Sequence, residues 1–347
     1  MQQVAAPVEL DPFLEQRPRL LALAYRMLGA TGEAEEAVQD AWLRWQGAER
    51  TVIADPAAWL VTVTMRLCLD RLRQADTARR RYVGPWLPEP WLESVPAPAA
   101  GTAPDRRLDR AADLSVAFLL MLERLSAPER AALVLRDAFD ADYAAIAEAL
   151  GRTEAACRQI LHRARARLQE AGSSRQPASS AEHRRLLGAF LAAARSGDPA
   201  RLMRLLAEDA RCLTDGGGKV QAALNPIVRR DKVARFVAGV MRHLPDGLRF
   251  RPITANGQPG LAILLGGEAW GLLSLEVADG RIQTVYMLRN PDKLAGIMPG
   301  PVTSGGGDPS WRQRVARPPA QPKGRTDEPE AESRRSAPNP LQGPDHA

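Results

Sequence analysis

The stretch DYAAIAEALGRTEAACRQILHRARARL, residues 142–168, contains two short helical patterns separated by a single glycine. Apolar residues between Tyr143 and Leu150 recur at i, i+3, i+4 and i+7, which places them on one helical face. Gly151 can adopt the left-handed conformation that ends such a helix, and Thr153 can cap the next one. This spacing predicts a helix-turn-helix, whose second helix enters the major groove of DNA.

The second helix of this pair has an apolar face and a basic face. Arg158 and Gln159, near its start, are best placed to contact base edges, because their side chains offer paired hydrogen bonds. Arg163, Arg165 and Arg167 are assigned to phosphates. The alternative is an ordinary helical hairpin with a solvated arginine face. The residues predicted to contact DNA here are Thr153, Arg158, Gln159, His162, Arg163 and Arg165.

Composition places the chain among soluble globular proteins. It has 347 residues, enough for two or three domains, with 45% hydrophobic and 25% charged residues. The net charge of +6 is modest, so charge alone does not identify a nucleic-acid binder. We find no signal peptide and no apolar stretch long enough to span a membrane, and therefore expect a cytoplasmic protein without membrane contact.

The three cysteines favour neither a metal site nor a disulfide framework. Cys68, Cys157 and Cys212 lie far apart, and no pair has zinc-ligand spacing. Cys68 and Cys157 fall on apolar faces of predicted helices, which indicates buried core thiols. We therefore expect no metal and no cofactor.

The pattern of hydrophobic residues changes several times along the chain. Residues 10–75 and 114–171 are predicted to be helical, and residues 76–113 form a linker rich in proline and alanine. Trp86 and Trp91 in that linker favour docking onto a neighbouring domain over a free spacer. Residues 181–298 predict an α+β domain, and residues 299–347 a disordered tail. Strands are predicted over 210–214, 220–224, 248–254, 261–265, 269–277 and 281–288.

Several segments resemble bacterial extracytoplasmic-function (ECF) sigma factors. The stretches AEEAVQDAWLR (residues 34–44) and WLVTVTMRLCLDRLR (59–73) are similar to sigma region 2, and residues 122–168 are similar to region 4. A subgroup of these factors carries motifs like YVGPWLPEP (82–90), DGGGK (215–219) and NPDKL (290–294). Its C-terminal domain is of the SnoaL or NTF2-like type. The resemblance implies two all-α sigma domains followed by an α+β NTF2-like cone.

The resemblance also implies partners and residue roles. A sigma factor directs core RNA polymerase, through its β′ and β subunits, to −35 and −10 elements of double-stranded promoter DNA, and it is not an enzyme. The helix-turn-helix matches the −35 reader, and the loop 49–55 matches the one that holds a flipped −10 base. Arg66, Arg71 and Arg73 match the −10 region, although many members carry Asn at the position of Arg66. Polymerase contacts are implied for Glu35, Glu36, Gln39, Asp40 and Arg44, whose acidic face is otherwise an ordinary solvated surface.

For the C-terminal domain, the resemblance implies intramolecular contact with the sigma domains and regulation in cis. The alternative is that both motifs only shape turns. A catalytic cone would need an acid-base pair, but Asp209, Asp215, His243 and Tyr286 show no recognisable catalytic spacing, so no catalytic residue is assigned. The contact residues implied by the two motifs are Asp215, Gly216, Gly217, Gly218, Lys219, Asn290, Asp292 and Lys293.

Two other functions are compatible with parts of the sequence. One is a ligand-sensing helix-turn-helix regulator of another class. The presence of a second DNA-facing region and a polymerase-docking helix argues against it, since a simple repressor needs neither. The other is an enzyme built on the cone and tethered to a DNA-binding region, for which the sequence indicates no substrate.

Overall fold

The computed structural model of the chain describes residues 11–92, 114–171 and 178–297. The predicted disordered tail and most of the predicted proline- and alanine-rich linker lie outside the described residues.

The first domain is a bundle of three helices: α1 (Pro12–Leu28), α2 (Thr31–Gln46) and α3 (Pro56–Arg80). The Asp11 side chain caps α1 by accepting a hydrogen bond from the Phe13 amide at 2.9 Å. Gly29 ends α1 with φ 70°, in the left-handed region. The prediction that helical structure stops near residue 75 is wrong, because α3 continues to Arg80. Residues 74–80 are mostly good helix formers, and the first glycine after them is Gly84.

The second helical domain contains the predicted helix-turn-helix, which is confirmed. Its helices are α4 (Val116–Leu122), α5 (Ala127–Leu133), α6 (Tyr143–Leu150) and α7 (Glu154–Ala171). Ser126 and Glu129 form a reciprocal capping box at the start of α5. The α5 helix continues into a π-helical turn, Val134–Ala138, before the loop that leads to α6.

The C-terminal domain has the predicted α+β fold, in which three helices cover one sheet. Its sheet has the strand order β2-β1-β6-β5-β4-β3, in which β1 and β6 are parallel and the other neighbours are antiparallel. The helices are α8 (Ser180–Arg195), α9 (Pro199–Leu205) and α10 (Arg230–Arg242). The strands are β1 (Leu206–Asp215), β2 (Ile227–Val228), β3 (Arg249–Ala255), β4 (Gln258–Leu265), β5 (Glu268–Ala278) and β6 (Arg281–Leu288).

The strand predicted over residues 220–224 is wrong, because this segment is an irregular loop. Gly217 and Gly218 have φ values of 59° and 71°, and β1 pairs with β2 at Arg211 and Cys212 rather than with the segment 220–224. The Thr214 hydroxyl donates to the Ala223 carbonyl at 3.1 Å and accepts from the Ala223 amide at 2.7 Å. A side chain thus provides the hydrogen bonds that the predicted ladder would have made.

Both faces of the sheet are apolar, and each is covered by a different layer. Leu273 and Leu275 of β5 pack in the core that includes α8, α9 and α10. On the other face, Leu272 lies in a cluster with Leu87 of the linker, against which Leu120 of α4 packs. The two helical domains share a further core of their own. The described part of the linker, residues 81–92, and α4 therefore lie between the other helices of the two helical domains and the sheet.

One buried histidine makes the stability of the C-terminal domain sensitive to acid. His183 of α8 is 3% exposed, and its Nε2 has no hydrogen-bond partner among the described residues. Burial lowers the pKa of His183 to about 4. As pH falls below 6.5, the unfolded chain binds a proton at this site that the folded chain resists, so stability decreases. The loss attributable to His183 between pH 8 and pH 5 is about 2 kcal/mol.

This prediction is checked by urea denaturation of the full chain and of His183→Leu at pH 8 and pH 5. Leucine does not titrate, so the free energy of unfolding of the variant should fall less over this interval than that of the wild-type chain. Equal pH dependence in the two proteins would show that His183 is not responsible.

Candidate functional site

The orientation of the second helix of the helix-turn-helix is fixed by local caps. The Asp142 side chain accepts from the Ala145 amide at 2.8 Å and begins α6. Gly151 ends α6 with φ 62°. The Thr153 hydroxyl then accepts from the Ala156 amide at 3.2 Å and caps α7. These caps make the turn between the two helices only three residues long.

The outward face of α7 presents the side chains that the sequence predicts to contact DNA. Arg158 pairs with Glu154 at 3.3 Å, and its guanidinium lies 5.0 Å from the ring centre of Tyr143. Arg165 pairs with Asp137 at 2.6 Å. These contacts hold two cations at the surface, where phosphates and base edges can reach them. The predicted −35 residues, all exposed, are Thr153, Arg158, Gln159, His162, Arg163 and Arg165.

The three arginines predicted for the −10 region lie in different environments. Arg66 donates to the Glu148 carbonyl at 2.6 Å, so it contacts the first helix of the helix-turn-helix. Arg73 is exposed and pairs with Asp70 of the same helix at 2.8 Å. Arg71 is only partly exposed and forms ion pairs within the first domain. The structure therefore leaves one of the three at the open surface without a contact to another helix.

Part of the predicted polymerase surface is tied to one of these arginines. Arg71 contacts Glu36 at 2.8 Å and Asp40 at 2.7 Å, which joins α3 to α2. Leu43, also on α2, is 58% exposed. The sequence contains one signal for this exposure, because Leu43 falls outside the apolar stripe of α2. Of the predicted polymerase residues, those exposed are Glu35, Glu36, Gln39 and Arg44.

A buried carboxylate links the C-terminal domain to the linker. Asp215 is 0% exposed, and its Oδ1 accepts from the Tyr82 hydroxyl at 2.5 Å and from the Gly217 amide at 3.0 Å. Its Oδ2 accepts from the Leu87 amide and from Lys293 Nζ, both at 2.9 Å. Four donors thus surround one carboxylate, and two of them belong to the linker.

The NPDKL motif completes this arrangement. Asn290 donates to the Tyr82 hydroxyl at 2.9 Å, and Lys293 donates to the Leu87 carbonyl at 2.7 Å. Burial lowers the pKa of Lys293, while the neighbouring Asp215 opposes that shift. Burial and Asp215 both raise the pKa of the Tyr82 hydroxyl. We refer to Tyr82, Leu87, Asp215, Asn290 and Lys293 as the Asp215 cluster.

The remaining motif residues have other roles in the geometry. Lys219 and Asp292 form an exposed ion pair with each other. Among the described residues, this ion pair lies within the C-terminal domain and does not reach the two helical domains. A Cβ atom on Gly217 would lie 2.4 Å from the Asn290 side chain, and one on Gly218 would lie 3.2 Å from Val83. Glycine is therefore required where the DGGGK turn approaches the NPDKL motif and the linker.

A second set of contacts, which no pattern in the sequence predicts, is centred on Asn256. Asn256 donates through its side chain to the Tyr25 hydroxyl at 2.6 Å, and its amide donates to the Trp91 carbonyl at 2.8 Å. The Tyr25 hydroxyl in turn donates to the Glu89 carbonyl at 2.5 Å. The sequence signal at Asn256 was an Asn-Gly hairpin turn, which the structure contains, but that signal does not reveal the contact with α1.

The linker is held against the first domain as well. The Glu89 carboxylate accepts from the amide and the hydroxyl of Thr31 at 2.8 and 2.7 Å. The Trp86 ring lies so close to Gly29 that a Cβ there would be 2.5 Å from it. The described part of the linker, residues 81–92, is therefore fixed on both sides.

The cone of the C-terminal domain contains a cavity between the sheet, α8 and α10. None of the acid-base candidates lines it: Asp215 lies in the Asp215 cluster, Tyr286 binds Glu276 at 3.1 Å, and Asp209 and His243 are exposed elsewhere. Within residues 11–92, 114–171 and 178–297, no group of three or more potential metal-binding side chains occurs. The three cysteines are buried and unpaired.

No helix in the described part of the chain is both long and apolar enough to cross a membrane.

Comparison with known proteins places this architecture in a family. Residues 13–78 match the family model for sigma-70 region 2, and residues 115–168 match the model for sigma-70 region 4. The ECF RNA polymerase sigma factor SigJ of Mycobacterium tuberculosis is 37% identical over 300 residues, covering 83% of this chain and 94% of SigJ. The probable ECF sigma factor SigI of the same organism is 32% identical over 283 residues, covering 80% of this chain and 92% of SigI.

The crystal structure of Mycobacterium tuberculosis SigJ is also similar. It aligns with a TM-score of 0.65 at 34% identity and covers 84% of this chain and 99% of the SigJ chain. The agreement extends over both helical regions and the C-terminal domain. The chain therefore belongs to the family of ECF RNA polymerase sigma factors.

Proposed function

We propose that this ECF sigma factor directs core RNA polymerase to −35 and −10 promoter elements and that its C-terminal domain restrains it in cis. The observation that carries the regulatory part is the burial of Asp215 against the linker between regions 2 and 4. We assign binding of the polymerase β′ subunit to α2. The protein also contacts the β subunit in this proposal. Such a protein acts where the chromosome and polymerase are, in the cytoplasm.

The promoter contacts are divided between the two helical domains. Arg158 and Gln159 of α7 are assigned to base edges of the −35 element, and Arg163 and Arg165 to phosphates. Arg66, Arg71 and Arg73 of α3 are assigned to the −10 region. The polymerase contacts are assigned to Glu35, Glu36, Gln39, Asp40 and Arg44.

The two helical domains are packed against each other, and we call this the closed arrangement. Elements near −35 and −10 are about 25 base pairs apart, which is about 85 Å at the rise of double-stranded DNA. The two helical domains instead share one core, and Arg66 of the −10 region is bonded to Glu148 of the helix-turn-helix. We infer that the two domains separate when the protein binds polymerase and promoter.

The C-terminal domain supports the closed arrangement from outside. Its sheet packs against Leu120 of region 4, and the Asp215 cluster and Asn256 hold the linker that follows region 2. Separation of the regions would break these contacts. The free energy of the closed state therefore includes the interaction of the linker with Asp215.

The first prediction concerns promoter reading by α7. Arg158→Ala should lower −35-dependent initiation by about 5- to 150-fold, because one good bidentate base contact contributes about 1–3 kcal/mol. The measurement is in vitro transcription with core polymerase on a promoter identified from DNA bound by the wild-type holoenzyme. Binding of the variant to core polymerase should be unchanged.

The matched control is Arg184→Ala, which removes an exposed arginine from α8 of the C-terminal domain. It should transcribe like the wild-type protein. Loss of core binding in Arg158→Ala, or equal transcription from both variants, would contradict the role assigned to Arg158.

The second prediction concerns the restraint itself. Tyr82→Phe removes a hydrogen bond to the buried Asp215 carboxylate, and hydrogen bonds to charged groups contribute about 1.5–3 kcal/mol. The closed state should weaken, and promoter-dependent transcription with limiting core polymerase should rise by up to about tenfold. The measurement is the same transcription assay at matched protein concentration.

Tyr286→Phe is the control for this experiment, because the Tyr286 hydroxyl binds Glu276 within the C-terminal domain. It should leave transcription unchanged. If a folded Tyr82→Phe protein transcribes like the wild-type protein, the proposed restraint is wrong, whereas the assignment as a sigma factor is unaffected.

A further inference from the structure

The C-terminal domain has a cavity on the face of the sheet opposite to the linker. The space open to the centre of a water molecule is about 100 Å³, which is room for several waters, since one water needs about 10–15 Å³ by this measure. The walls are formed by the sheet, α8 and α10, and are almost entirely apolar. The larger lining side chains include Phe190, Phe236, Met241, Phe250, Ile263 and Trp270.

One cation lies in this apolar wall. Arg289 lines the cavity, donates through Nε to the Trp270 carbonyl at 3.0 Å and stacks 3.3 Å from the centre of the Trp270 ring. Among the described residues, no carboxylate forms an ion pair with it. Burial lowers the pKa of Arg289 to about 10, still well above neutral pH, so the guanidinium is charged. A partly buried cation without a carboxylate partner is costly unless an anion can approach it.

An unsatisfied hydrogen-bond donor belongs to the same wall. Trp270 is 8% exposed and lines the cavity, and its indole Nε1 is buried without an acceptor among the described residues. Buried polar groups are normally hydrogen-bonded, so this one requires an explanation. Arg289 supplies the charged donors of the cavity, and no carboxylate or histidine lines the cavity in the described part of the chain.

We propose that this cavity binds an apolar small molecule that carries one carboxylate. The hydrocarbon part packs among the aromatic and aliphatic side chains, and the carboxylate accepts hydrogen bonds from the Arg289 guanidinium. The planar guanidinium fork matches the two oxygens of a carboxylate. The apolar walls match the rest of such a molecule and disfavour a highly charged ligand.

The cavity lies next to the Asp215 cluster, because two residues that line it adjoin that cluster in the chain. The Arg289 amide donates to the Asp215 carbonyl at 2.7 Å, and Arg289 directly precedes Asn290 of the Asp215 cluster. Thr214, which also lines the cavity, directly precedes Asp215. Binding itself does not depend on whether the Asp215 cluster regulates transcription.

The test is isothermal titration of the full chain with decanoate and, separately, with the neutral decanol. Decanoate should bind about tenfold or more tightly than decanol, because only the carboxylate forms charge-assisted hydrogen bonds with Arg289. Arg289→Met should reduce decanoate affinity to that of decanol. The matched control, Arg251→Met, removes an exposed arginine of β3 and should bind decanoate like the wild-type protein.

Val237→Trp fills the cavity from α10 and should weaken binding of both molecules, which establishes where they bind. The comparison of decanoate with decanol on the wild-type chain tests the cation even if Arg289→Met does not fold. Absence of decanoate binding, or unchanged decanoate affinity in folded Arg289→Met or Val237→Trp, would overturn the proposal.

Discussion

The Asp215 carboxylate is the group on which the closed arrangement depends. It is fully buried, and a buried charge is tolerated only when it is paired and hydrogen-bonded. Tyr82 and Leu87 supply two of its four donors, so the linker cannot leave without exposing Asp215 and Lys293. When the linker leaves, water hydrates Asp215 and Lys293 and offsets part of the free energy of the lost contacts. Exposure of a large apolar interface to water has no such offset.

One residue, Arg66, takes part both in the closed arrangement and in a surface assigned to the promoter, whereas Arg71 is paired within the first domain. Arg66 is bonded to Glu148, and Arg71 is paired with Glu36 and Asp40. Under the proposed assignment, Arg66 cannot bond to Glu148 and contact the promoter at once, so closure and promoter binding would compete for this side chain. A ligand or partner that binds one state better shifts the population toward that state. The proposed regulation in cis would then follow from competition for Arg66 and would require no change of fold.

Local patterns in the sequence were sufficient to predict most of the elements. The helix-turn-helix over 142–168 was predictable because its caps, Asp142, Gly151 and Thr153, act within a few residues. The hairpin turns at Asn256 and Asp279 were predictable for the same reason. The strand at 220–224 was wrongly predicted, because an alternating pattern does not show whether a neighbouring strand is available to pair with it.

The sequence by itself determined the order of the helical and α+β domains and the type of nearly every element, since periodicity and capping are local properties. Only the tertiary structure decided which residues meet across domains. Asn256 and Tyr25 are 231 residues apart, and Asp215 and Tyr82 are 133 apart. The cavity around Arg289 depends likewise on how the helices cover the sheet. Contacts of this range depend on packing, which no local pattern records.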